Sequence, residues 1–209
     1  MRKTAAALMA FVMILSFTAC TGAAPLNADA RMKIVTTIFP EYDWISNIIG
    51  SDPGKVKLSC LTDNGTDMHS YQPTTEDIMK ISSCDIFVYV GGESDDWVNS
   101  VLDNAVNKDM RVLSIMDTLG SSLQEEELKE GMEDFGAEED DEAEYDEHVW
   151  LSLRNAERIC SAAADLLCEA VPENAEAYRR NLESYTEKLS RLDAKFEELA
   201  QGLDRKSVV

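Results

Sequence analysis

The chain has two histidines, His69 and His148, and each stands beside acids. His69 lies in Asn64-Gly65-Thr66-Asp67-Met68-His69-Ser70-Tyr71-Gln72-Pro73, and His148 in Asp146-Glu147-His148-Val149-Trp150-Leu151-Ser152. Neutral imidazole is the commonest side-chain metal ligand, and a neighbouring carboxylate can fix its tautomer and orientation. Such chemistry is the binding of a divalent cation. A lone histidine is more often structural than a ligand, and spacing alone does not make these two a pair. Catalytic motifs are missing: there is no HExxH, no Gly-x-Ser-x-Gly and no phosphate-cradling glycine loop. Glu147 is the one group that could act as a general base beside a catalytic zinc, and nothing else supports that role.

The elements around the histidines follow from apolar periodicity. Lys33–Ile38, Val56–Leu61, Ile86–Val90 and Arg111–Ile115 read as strands. Between them, Tyr42, Trp44, Ile45, Ile48 and Ile49 recur at helical spacing and stop at Gly50. Thr74 or Thr75 caps a helix with Ile78, Met79 and Ile81 on one side, and Trp97, Val98, Val101, Leu102, Ala105 and Val106 outline a third helix. The alternation β-α-β-α-β-α-β predicts an α/β fold, a parallel sheet with flanking helices. Ligands bind beyond the carboxyl ends of such strands, which is where the loop carrying His69 falls. Further on, 155–168 is helical with Ile159, Ala163, Leu166 and Leu167 inward. Pro172 opens a last, long helix whose stripe runs Tyr178, Leu182, Tyr185, Leu189, Leu192, Phe196, Leu199 and which Gly202 ends. It reads as a core-covering helix rather than a coiled-coil strand.

Composition narrows the function classes. Hydrophobic residues make up 44% of 209, enough for a packed core. The formal charge of −21 argues against a nucleic-acid partner, which requires Lys and Arg to neutralise phosphates. Much of that charge lies in 123–147, where fourteen acids meet one lysine, Lys129. This stretch lacks apolar periodicity and reads as a solvated acidic loop, with weak gathering of hard cations as the rival reading.

At the N-terminus, Arg2 and Lys3 precede the apolar run 5–15, which is too short to span a bilayer. Ser16-Phe17-Thr18-Ala19-Cys20 resembles the bacterial lipobox, with Phe17 where that motif prefers Leu. Residues 1–20 then read as a lipoprotein signal peptide, Cys20 as the lipidated residue and 21–30 as a tether, which places the domain outside the cell membrane on a lipid anchor. Of the remaining cysteines, Cys160 and Cys168 lie eight residues apart in one helix, about 12 Å, too far for a disulfide. Cys60 and Cys84 fall at opposite ends of a parallel sheet. Buried free thiols are expected for all four.

Taken together, four segments resemble one family. Gly65-Thr66-Asp67-Met68-His69-Ser70-Tyr71-Gln72-Pro73, Asp146-Glu147-His148-Val149-Trp150-Leu151 with Asn155-Ala156, Val35-Thr36-Thr37-Ile38-Phe39-Pro40, and Gly91-Gly92-Glu93-Ser94 with Trp97 resemble, in order and spacing, the zinc- and manganese-binding solute-binding lipoproteins of bacterial ABC transporters. Met68 stands where that family has Pro. The resemblance implies two α/β lobes joined by a long helix, with the metal in the cleft. His69 and His148 match its two N-lobe ligands. Residues 31–170 would form the metal-binding lobe, 171–202 the connecting helix and 203–209 the start of a second lobe that the chain does not complete. The implied function is capture of a divalent ion, zinc first and manganese second, by a monomer that delivers it to an ABC permease. A metal-dependent adhesin is the rival within the family, and a zinc hydrolase the rival outside it. Ligation requires neutral imidazole, so capture weakens in acid.

Overall fold

In the computed structural model the described residues are 32–51, 56–62, 65–123 and 145–202. The expected signal peptide, Cys20, the tether, most of the acidic loop (124–144) and 203–209 lie outside them.

Four short strands, β1 (Met32–Thr36), β2 (Val56–Cys60), β3 (Ile86–Tyr89) and β4 (Arg111–Ser114), form one sheet in the order β2-β1-β3-β4. Every pairing is parallel, with Ile34 beside both Leu58 and Ile86, and Val88 beside Leu113. Parallel pairing demands crossovers, and helices supply them: α1 (Phe39–Ile49), α2 (Thr75–Ser82) and α3 (Trp97–Asp103) connect the strands. After β4 come α4 (Ile115–Leu119), α5 (Leu153–Ala170) and α6 (Ala175–Gly202).

Side chains alternate across a strand, so covered faces on both sides require an almost unbroken apolar run. Ile34, Ile86 and Val88 point into a core shared with α1, α4, α5 and α6; Val35 and Phe87 point into a second core with Ile81, Val98 and Val101.

The predicted strands and helices are all present, with shifted ends. β1 stops before Thr37 and Ile38, whose amides are taken by the Glu41 carboxylate as the chain turns into α1. Thr74 rather than Thr75 caps α2: its Oγ1 accepts from the Asp77 amide, and Asp77 accepts in return from the Thr74 amide. Only Ile81 of its expected apolar face is buried; Ile78 and Met79 are exposed. Helix α3 stops at Asp103, so Ala105 is buried but Val106 is not; its amide bonds back to Ser82 instead. Pro172 opens a 3-10 turn, Pro172–Asn174, just ahead of α6. Cys60, Cys84, Cys160 and Cys168 are free thiols, the last three buried and Cys60 half-buried.

Candidate metal centre

The chain leaves β1 to form β2 on one side and β3 on the other. The sheet therefore has its switch point at the carboxyl ends of β1 and β3, the place where parallel α/β sheets gather ligands. Three segments meet near that edge. After β2 comes the 3-10 turn Met68–Ser70, started by Asp67, whose Oδ1 accepts from the His69 amide at 3.2 Å. After β3 come Gly91, Gly92 and the turn Glu93–Asp95. Ahead of α5 comes the turn Val149–Leu151, with His148 at its start.

His69 and His148 meet through their Nε2 atoms, 3.1 Å apart, with ring centroids at 5.1 Å and planes tilted by 46°. Both side chains are almost half exposed, 47% and 45%, so an ion from solvent can reach them. Each Nδ1 is held from behind. Asp146 Oδ1 accepts from the His148 ring at 2.8 Å and also from the His148 amide at 2.8 Å. That amide, and then the ring, holds the Asp146 carboxyl below its usual range, so it stays an ionised acceptor. Facing an acceptor, His148 Nδ1 carries the proton and Nε2 keeps its lone pair. Ser94 Oγ lies 2.9 Å from His69 Nδ1. Trp150 packs against the outer side of His148, centroids 5.2 Å apart.

Behind the imidazoles lie two acids, Asp95 buried and Glu147 mostly covered. Glu147 Oε1 accepts from the Ser94 amide at 2.9 Å. Asp95 Oδ2 accepts from the Gly91 amide at 3.0 Å; burial raises its pKa to about 6, and the Glu147 charge adds to that rise. Gly92, at φ 78°, makes room for Glu147: a Cβ there would sit 2.4 Å from Oε1 and 2.7 Å from Cγ. Among the described residues no group of three or more His, Cys, Asp and Glu side chains converges as a metal cage, so the imidazole pair stands as a two-donor site.

The sequence and the fold have relatives. The sequence profile described as zinc-uptake complex component A, periplasmic, matches residues 34–209. The chain belongs to the zinc-uptake complex component A family. Within that family it is 33% identical, over 207 residues, to the zinc-binding lipoprotein AdcA of Streptococcus pneumoniae, covering 99% of this chain and 40% of that one. It is 32% identical to the metal ABC transporter substrate-binding lipoprotein FimA of Streptococcus parasanguinis over 222 residues, covering all of this chain and 65% of that one. Its fold superposes on the periplasmic zinc-binding protein TroA of Treponema pallidum with a TM-score of 0.68 and 26% identity, covering 83% of this chain and 57% of that one. The chain thus spans about two fifths of the AdcA sequence and just under two thirds of that of FimA.

As a member of the zinc-uptake complex component A family, the chain brings its two sequence-predicted ligands together. Cys20 lies outside the described residues. Sequence reasoning missed the support behind the imidazoles. Glu147 belongs to a stretch read as solvated loop, yet its side chain is only 11% exposed. The signal for its burial was the consecutive Gly91-Gly92, a place where backbone and a foreign side chain approach closely.

Proposed function

We propose that this chain captures a divalent transition metal, zinc in preference to manganese, between His69 and His148, for delivery to an ABC permease. The observation that carries this reading is the 3.1 Å separation of the two Nε2 atoms. Two nitrogens each about 2.05 Å from one zinc ion, and that far apart, subtend roughly 98° at the metal, close to a tetrahedral angle. The hydrogen bonds behind each Nδ1 support it too, because metal-bound imidazoles are oriented by partners on their far nitrogen. The similarity to AdcA, FimA and TroA, all described as metal- or zinc-binding, favours cargo binding over hydrolysis.

Under this reading 31–170 is the metal-binding lobe and 171–202 the connecting helix. Cys20 is the lipid-bearing residue that holds a monomer at the outer face of the cell membrane. Among the described residues two imidazoles leave the other coordination positions to water, so the 209-residue chain binds zinc weakly. Zinc titration by competition against a chromophoric chelator tests the assignment. His69→Ala and His148→Ala each lower the affinity at least tenfold, and a manganese titration gives the weaker isotherm. Nanomolar zinc affinity that survives His69→Ala contradicts the assignment.

A further inference from the structure

Ser94 Oγ can donate to His69 Nδ1 or accept from it, so the hydroxyl alone does not decide which nitrogen of His69 carries the proton. In the metal-free chain His148 Nε2, 3.1 Å away, competes for a proton on His69 Nε2. Once an ion occupies the Nε2 lone pairs, or His148 is removed, the decision falls to the next group back. Glu147 Oε1 is engaged by the Ser94 amide, and Oε2 is buried without a hydrogen-bond partner, 3.9 Å from His69 Nδ1. An unscreened carboxylate oxygen at that distance favours a proton on Nδ1 and thereby leaves the Nε2 lone pair free. Asp146 imposes the same choice on His148 by direct contact.

We propose that Glu147 is a positioning residue that selects the Nδ1–H tautomer of His69, the only neutral form able to bind an ion through Nε2. One side chain thereby serves both loops: it is joined covalently to His148 and acts across space on His69. The carboxylate cannot be replaced by its amide. The Ser94 N–H requires an oxygen at the Oε1 position, so Glu147→Gln must turn its NH2 toward His69 Nδ1. That donor calls for a lone pair on Nδ1 and moves the proton to Nε2, blocking the ligand atom. Exchange of an orienting carboxylate for its amide keeps the shape and reverses the hydrogen-bond polarity.

The consequence for affinity rests on the metal-capture reading; the tautomer does not. In the His148→Ala background, His69 is the sole imidazole, and 15N NMR of the full chain without metal reads its tautomer directly. The expected result is Nδ1–H with Glu147 and Nε2–H with Glu147→Gln. Nε2–H with Glu147 intact overturns the proposal without any need for the Gln variant to fold. The same tautomer in both proteins also overturns it. With both histidines present, zinc affinity should fall roughly 10–100-fold in Glu147→Gln, and to no less a degree than in Glu147→Ala. A Gln variant within threefold of the parent sinks the proposal. If the parent chain binds no zinc while the NMR result holds, the capture reading fails and the tautomer assignment stands.

Discussion

Glu41 has no exposed surface at the carboxyl end of β1, and only one of its oxygens is engaged. Oε2 accepts from the Thr37 amide, the Thr37 hydroxyl and the Ile38 amide, while Oε1 has no partner. Burial pushes its pKa up to about 8 against the opposing pull of those amides, and the nearby Asp95 charge adds to the rise. The folded chain therefore holds a proton that the unfolded chain releases above its ordinary value near 4.5. Stability from this group is complete below that value and lost as pH climbs through about 8, at up to about 1.4 kcal/mol per pH unit. Glu41→Gln keeps an acceptor for the turn and removes the titration. Urea midpoints at pH 5 and pH 8 should differ less for the variant than for the parent. Gly92 makes a second test at this scale. Alanine there is strained at φ 78° and collides with Glu147, so Gly92→Ala should cost about 1–3 kcal/mol in a denaturant titration and weaken zinc binding. The two histidines could be picked out from residue type and motif, and the structure brings their rings together. Glu41 and Glu147 could not, because an acid in a charge-rich sequence carries no mark of burial until its neighbours are known.

Helix α6 shows what periodicity can and cannot deliver. Its stripe was legible as spacing, and Tyr178 and Leu189 are buried as that spacing requires. Tyr185 donates to Asp43 at 2.7 Å, and Asn181 donates to the Ile48 carbonyl at 2.9 Å, binding α6 to the end of α1. Beyond Leu189 the stripe continues but the covering ends, leaving Leu192, Phe196 and Leu199 at 42%, 58% and 65% exposure. Spacing reports the face of a helix, not how far its neighbours extend; Val106, one turn past the end of α3, fails for the same reason. Tyr178→Ala should lower stability by about 3–5 kcal/mol, whereas Phe196→Ala should stay within about 0.5 kcal/mol. Paired urea melts of the two variants compare a covered and an uncovered position on one helix.

At the scale of the molecule, the α/β class and the parallel pairing followed from alternating patterns, whereas the order β2-β1-β3-β4 comes from the structure alone. The cysteines behave likewise: Cys84 lies in one core, Cys160 and Cys168 in the other and Cys60 half-buried, and among the described residues no bridge joins them. Millimolar dithiothreitol should therefore leave the melting temperature unchanged, as read by circular dichroism.

The two imidazoles belong to segments 79 residues apart in the chain. An ion held by both is a removable clasp between the β2 side of the sheet and the approach to α5. Binding to the folded form alone adds stability in proportion to the logarithm of free ion over Kd, about 2.7 kcal/mol at a hundredfold excess. Under the proposed function, ion binding and durability are thus one quantity. A zinc-saturated chain should outlast the stripped one against limited trypsin, and the half-life ratio should collapse when either clasp partner is changed to alanine.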